Sequence, residues 1–347
     1  MSDKLRVAAA HLAPAFLDRE ASVAKACDAI AEAARHGTGL IAFPESYIPA
    51  FPLWSALQAP IHCHDYFIAM ADQSMRVDGP EMARVREAAR RAGILVSLGF
   101  SESTTVSVGC LWNSNVLIGA DGQLLNHHRK LMPTFYEKLT WAPGDGAGLR
   151  VVATAAGRLG ALICGENTNP LARYALMAQG EQVHISSYPP AWPTRDPAQA
   201  QRYDLADAIR IRAAAHAFEA KCFNVVASGF VDKATMETLS GVSTEAGRIL
   251  RDSPRSVSMV VDPMGRVCAG PVCDAEELLY ADVDLDECVE PKQFHDVVGG
   301  YNRFDVFRLS VNRSRQQPAY FRDEALGNDP DGGAVPTEEA KAKDDPR

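Results

Sequence analysis

The chain is 347 residues long, with 35 lysines and arginines against 44 aspartates and glutamates and a formal net charge of −9. That balance disfavours a nucleic-acid partner, whose phosphates need a basic field, and the 47% hydrophobic, 23% charged composition is neither disordered nor fibrous. No apolar run approaches the roughly 20 residues of a membrane helix, Met1-Ser-Asp-Lys-Leu-Arg lacks the apolar stretch of a secretory signal, and the eight cysteines are too scattered for a disulfide-stapled domain, so a soluble cytoplasmic protein with reduced thiols and no membrane contact is expected.

In chain order, residues 5–12 and 39–43 read as buried strands on either side of an Ala-rich helix, 19–35. A helix over 79–92 opens at Asp78-Gly79-Pro80, because proline suits a first helical turn, and leads into a strand, 94–100. Residues 112–119 and 123–129 flank the turn Asp121-Gly122, and 149–153 and 159–163 flank a second turn near Ala156-Gly157. Alternation then resumes, with helix 170–179, strand 182–187, a long helix 199–220 and strand 223–228. Residues 257–261 and 266–268 flank Asp262-Pro263-Met264-Gly265, and strand 278–283 follows. Two similar halves that mix β-α-β crossovers with hairpins predict mixed sheets covered by helices. No Pro/Gly/Ser-rich linker parts them, so a single α/β domain is expected over 1–310. The extension, 311–347, is expected to be disordered from about residue 327, where apolar residues almost vanish.

Chemistry-bearing residues gather where strands end. Cys164 closes the run from Arg158 to Ile163 and precedes Gly165-Glu166-Asn167, after which Asn169-Pro170 opens a helix. Helix N-terminal amides near a thiol favour a thiolate or a developing anion. Most cysteines are simply small buried hydrophobes, but polar residues directly after an apolar strand weaken that reading. Glu45 follows Leu40-Ile-Ala-Phe and Pro44, where a desolvated carboxylate can serve as a general base or merely cap a turn. Lys130 ends strand 123–129 in His127-His-Arg-Lys-Leu-Met-Pro, and alone it reads as a solvated cation. Neither His62-Cys-His-Asp nor His127-His128 has the spacing that presents several ligands to one ion, so no metal is expected; residues 62–65 read as a loop or helix start after Pro60.

Together the signals gain meaning. Phe43-Pro-Glu-Ser, His128-Arg-Lys-Leu-Met-Pro-Thr and Leu162-Ile-Cys-Gly-Glu-Asn occur in this order, with Lys130 85 residues after Glu45 and Cys164 34 residues after Lys130. The set resembles the nitrilase superfamily of carbon–nitrogen hydrolases over most of the chain, from Val7 to about Phe307. Cys164-Gly-Glu-Asn-Thr-Asn-Pro-Leu, Trp141-Ala-Pro-Gly-Asp-Gly and His184-Ile-Ser-Ser-Tyr-Pro-Pro resemble its nitrilase branch rather than the aliphatic-amidase branch. The resemblance implies an α-β-β-α sandwich, with Glu45 as general base, Lys130 as the cation that stabilises the tetrahedral species, Cys164 as nucleophile and Glu137 as a second carboxylate beside the lysine. It implies hydrolysis of a small organic nitrile to carboxylic acid and ammonia through a thioimidate and a thioester, without an organic cofactor. The alternatives are an amidase or carbamoyl hydrolase using the same triad, hydration of a nitrile to the amide, and a catalytically silent scaffold. Tyr47, Trp54, Tyr188 and Trp192 are expected as pocket walls, with Gly165 and Glu166 beside the nucleophile. Self-association into dimers, and into spirals or filaments, is also implied, with Phe294, Tyr301, Phe304 and Phe307 at the contact. Gly165, Lys138, Gly300 and Phe304 depart from the residues common in the branch, which are tryptophan, arginine, histidine and proline.

Overall fold

The structure is a computed structural model in which residues 4–199, 203–317 and 319 are described. Strand β1 (Leu5–His11) is followed by helix α1 (Arg19–Arg35), which starts where the Asp18 carboxylate accepts the Ala21 amide. Its buried residues, among them Val23, Ala26, Ile30 and Ala33, recur every three or four positions and face β1 and β2 (Leu40–Ala42). Helices α2 (Trp54–Leu57), α3 (His64–Gln73) and α4 (Pro80–Ala92) precede β3 (Leu95–Glu102), β4 (Trp112–Ile118) and β5 (Leu124–Arg129). The second half holds β6 (Val152–Thr154), β7 (Gly157–Ile163), α5 (Pro170–Met177), β8 (Val183–Tyr188), α6 (Leu205–Ala220) and β9 (Phe223–Ser228). It ends with α7 (Lys233–Ser240), α8 (Thr244–Asp252), β10 (Ser258–Val261), β11 (Val267–Val272) and β12 (Glu277–Val283).

The strands form two six-stranded sheets, ordered β12-β1-β2-β3-β4-β5 and β11-β10-β9-β8-β7-β6. In each, three central strands pair in parallel and the flanking pairs are antiparallel. Alternate residues explain the layering. Val7, Ala9, Leu40 and Ala42 of the first sheet meet Leu159, Ala161, Val183, Ile185 and Val225 of the second, while Ala8, Ala10, Ile41, Val96 and Leu98 face the other way, toward α1 and α4. On the far side of the second sheet, Val226, Met259 and Val261 pack with Ile209, Ala213 and Ala217 of α6. The result is the expected α-β-β-α sandwich of two mixed sheets covered by helices.

Several elements differ from the sequence reading. The long helix expected from residue 199 starts at Leu205, because the Asp204 side chain accepts the Asp207 amide and fixes the start there. Helices α7 and α8, capped by Asp232 and Ser243, were not anticipated. β12 does not join the hairpin before it but crosses to the first sheet and pairs with β1. Residues 62–65 do straddle a helix start, the end of a 3-10 turn (Pro60–His62) followed by α3. Residues 327–347 lie outside the described residues. Residues 4–315 belong to one compact unit; beyond it, Gln316, Gln317 and Ala319 are exposed and without regular structure. Among the described residues no helix is long and apolar enough to cross a membrane, and all eight cysteines are free thiols.

Candidate active site

Three strand ends build the site. Glu45 leaves β2, Lys130 leaves β5 and Cys164 leaves β7, so each side chain comes from a segment whose backbone a sheet already holds. The loop carrying Glu45 lies directly on Gly99 of β3, where any side chain would overlap the Pro44 carbonyl oxygen. Gly144, in the Trp141-Ala-Pro-Gly run, is excluded from carrying a side chain in the same way, by the carbonyls of Arg129 and Lys130, and its amide donates to the Lys130 oxygen at 2.8 Å.

The Lys130 ammonium donates to Glu45 Oε1 at 2.7 Å and to Glu137 Oε2 at 2.6 Å, with all three side chains shut off from solvent. Glu137 sits in a 3-10 turn (Phe135–Leu139), where its Oε2 also accepts the Thr134 amide at 3.0 Å. Asn113 of β4 donates its side-chain amide to Glu45 Oε1 at 2.7 Å, and its backbone carbonyl accepts the Lys130 amide at 2.8 Å. Cys164 opens a 3-10 turn (Cys164–Thr168) with φ of +49°, a left-handed conformation that is strained for a residue with a side chain. Its sulfur and one carboxylate oxygen each from Glu45 and Glu137 lie within 4.8 Å of one another. Such a set could hold a metal ion, but the Lys130 ammonium already bonds to both carboxylates and supplies the cation they call for.

The electrostatics follow from burial and from this cation between two anions. Burial works against the Lys130 ammonium, yet Glu137 and Glu45 hold its pKa well above the ordinary lysine value. Burial pushes Glu137 up to about 7, with Lys130 opposing and Glu45 adding to the shift. Burial and the Glu45 charge push the Cys164 thiol well above its usual range, which favours the protonated form. Glu45 Oε2 is buried without a hydrogen-bond partner, a free acceptor in the same site. Lys130 spends two of its three hydrogens on carboxylates and keeps one for an anion.

The expected pocket residues part company. Trp54, Tyr188 and Trp192 share one apolar cluster with Cys164, joined by Phe51, Tyr136 and Trp141. Phe51 meets Trp141 and Trp192 edge-on, at 5.7 and 5.9 Å between ring centres, and Tyr136 stacks on Trp192 at 4.4 Å. Tyr47 instead packs against Phe43 at 5.2 Å in the cluster beneath α1 and α4. Glu166 turns into the protein: its carboxylate accepts the Leu131 and Ile163 amides at 2.7 and 2.8 Å and contacts His128 Nε2 at 2.9 Å, tying the Lys130 strand to the Cys164 strand. Gly165 leaves room for Thr134, whose hydroxyl would lie 2.9 Å from an added Cβ. His127 and His128 point to opposite sides of β5, toward Glu102 and Glu166, rather than toward one common point. Asn113 and Tyr136 escaped the sequence reading, although polar asparagines inside the buried Trp112-Asn-Ser-Asn strand were a visible signal.

Residues 6–293 match the model of the family described as Carbon-nitrogen hydrolase. A Nitrilase of Paraburkholderia phymatum is 34% identical over 92% of this chain and 90% of its own length. An Arylacetonitrilase of Aspergillus kawachii is 34% identical over 90% and 94%. Among solved structures, Saccharomyces cerevisiae Nit3, a member of branch 10 of the nitrilase superfamily, aligns with a TM-score of 0.66 at 19% identity, covering 88% of this chain and 98% of that one. An amidase from Nesterenkonia sp. aligns at 0.61 and 19%, covering 84% and 94%. At these identities the two structures speak for the fold alone.

Proposed function

The chain belongs to the carbon–nitrogen hydrolase family, and from that premise we propose that it is a nitrilase, with Cys164 as nucleophile, Glu45 as general base, Lys130 as the stabilising cation and Glu137 as its second anchor. The observation that carries this reading is the unpartnered Oε2 of Glu45 in the same buried site as the Cys164 sulfur and the Lys130 ammonium. A nitrile carbon is a poor electrophile, so attack needs a thiolate and a proton for the nitrogen that becomes anionic. Glu45 takes the thiol proton, the sulfur adds to the nitrile carbon, and the proton passes to nitrogen, giving a thioimidate. Glu45 then deprotonates a water that attacks the same carbon. Ammonia leaves, a thioester remains, and a second water releases the carboxylic acid and restores the thiol. The free hydrogen of Lys130 meets the negative charge at each tetrahedral stage.

The aromatic rings packed around Cys164 favour a mid-sized organic nitrile over cyanide, in keeping with relatives named nitrilase and arylacetonitrilase. Phenylacetonitrile, benzonitrile, butyronitrile, cyanide and the corresponding amides, each incubated with the protein, test this. Acid and ammonia from the organic nitriles, with a mass adduct on Cys164, are expected. Ammonia from the amides alone would make the chain an amidase, and cyanide turning over fastest would overturn the substrate class. The same reading places the protein in the cytoplasm as a homo-oligomer. In support, Phe294, Tyr301, Phe304 and Phe307 are 49–70% exposed on their own chain, leaving apolar surface for a second copy to cover.

A further inference from the structure

Behind Cys164 lies a buried polar chain that the hydrolysis scheme does not use. The Asn167 side-chain amide donates to the carbonyls of Leu162 and Cys164, at 3.3 and 3.2 Å. Asn167 Oδ1 faces His184 Nε2 at 2.9 Å and the Ser186 hydroxyl at 3.2 Å. His184 Nδ1 meets Glu181 Oε1 at 2.7 Å, and the other carboxylate oxygen meets His216 Nε2 at 2.7 Å. Asn167, Glu181, His184, Ser186 and His216 are all at most 2% exposed.

Hydrogen counting assigns the protons. Two carbonyls consume both hydrogens of the Asn167 amide, so its oxygen accepts, and His184 Nε2 must carry a hydrogen. Glu181 also only accepts, because its carboxyl is held down to about 2; burial opposes this, and His184 and His216 outweigh it. The His184 ring is thus held between two acceptors, the Asn167 oxygen at Nε2 and the Glu181 carboxylate at Nδ1. His216 donates one hydrogen to Glu181 and leaves Nδ1 without a partner, as a neutral ring does; burial and the nearby His184 hold its pKa down to about 4. The other ionisable groups facing this cluster are the Cys222 thiol, also buried, and Arg173 of α5, which is paired with Glu219 at 2.6 Å.

The geometry of this chain suits a structural task at the site. We propose that Glu181, His184 and Asn167 form a positioning relay, in which Glu181 fixes the His184 ring and His184 orients the Asn167 amide that grips the Cys164 carbonyl and so holds the nucleophile in its left-handed conformation. None of the three touches the reacting atoms. The inference rests on Cys164 being the nucleophile, and not on which substrate the enzyme takes.

The test reads the thiol directly. Iodoacetamide alkylation of Cys164, followed by peptide mass spectrometry across pH 6–9, is compared between wild type and His184→Gln, with circular dichroism as the control for folding. Alkylation of Cys164 and kcat should both fall about 10- to 100-fold, with KM within about twofold, the cost of a misplaced reacting group. A folded His184→Gln protein with wild-type alkylation and kcat would overturn the relay. If that variant does not fold, Asn167→Ser is compared in the same assay under the same criteria. Because alkylation needs no nitrile, a failed relay and a failed substrate assignment give different results.

Discussion

Lys130 carries its charge where no water reaches it, and two carboxylates make that tolerable. The three form a unit, and removing the lysine leaves two buried carboxylates facing each other without a cation. Cys164→Ala, in contrast, takes away only a sulfur from an apolar cluster, so it should abolish acid formation while the circular dichroism spectrum stays that of the wild type; Cys164→Ser should be nearly as inactive. Near-normal turnover in the alanine variant would exclude covalent catalysis. Glu45→Gln cannot accept the thiol proton, and Lys130→Ala removes the charge opposite the developing anion, so each should lose more than about tenfold in kcat, or 1.4 kcal/mol of barrier. Lys130→Ala should in addition be less stable by about 3–5 kcal/mol in urea unfolding, as for other broken buried pairs, whereas Glu45→Gln keeps the shape of the site. Since Glu137 is pushed up to about 7, the carboxylate pair takes up a proton as pH falls through neutrality, and kcat/KM should decline on that acid side. Glu137→Gln removes the like charge beside Glu45 and should move this limb to lower pH; an unmoved limb would assign it to another group.

At the scale of elements, acid should loosen the layer formed by β8 and α6. Glu181 is held at about 2 against an unfolded value of 4.5, so its stabilisation is complete above pH 4.5 and disappears as pH falls toward 2. His216, depressed to about 4 from 6.5, adds a loss between pH 6.5 and 4, because the unfolded ring takes up a proton that the folded ring refuses. Glu181→Gln should therefore cost about 3 kcal/mol at pH 7 and flatten the stability curve between pH 4.5 and 2. Urea midpoints over that range measure both, and an equally steep curve in the variant would place the acid sensitivity elsewhere. The strands and α1 were legible in the sequence because buried parallel strands are continuous apolar runs and α1 repeats its alanines at helical spacing. Helices α7 and α8 were not, since they are short and most of their exposed residues say little about period. For the site, Glu45, Lys130, Glu137 and Cys164 could be picked out only as an ordered set. The direction of the Glu166 carboxylate and the contact of Asn113 with Glu45 depend on how β4, β5 and β7 end beside one another, which no local pattern encodes.

In the whole molecule, the candidate active site spans both sheets, for Glu45 and Lys130 leave the first and Cys164 the second, and the Glu45 amide donates to the Tyr188 carbonyl across the gap at 3.3 Å. The segment after β12 braces the edge of this arrangement: the Asn312 backbone lies against Gly146, and Arg315 approaches Asp145 at 3.3 Å, one residue beyond the Gly144 that supports Lys130. Removing residues 288–347 should lower both oligomer size and activity, while trimming only 327–347 should change neither much. Light scattering with a turnover assay decides this, and a fully active monomer at micromolar concentration would defeat the assembly claim. The pairing of β1 with β12 has its own consequence during translation. The opening strand is made first, yet one of its edges waits for residues 277–283, the last strand among the described residues to leave the ribosome. Until then the nascent protein displays an unpaired apolar strand edge, the kind of surface that templates aggregation. Chains stopped before residue 277 should accumulate as insoluble material or on chaperones, whereas those released beyond the last strand can close the sheet.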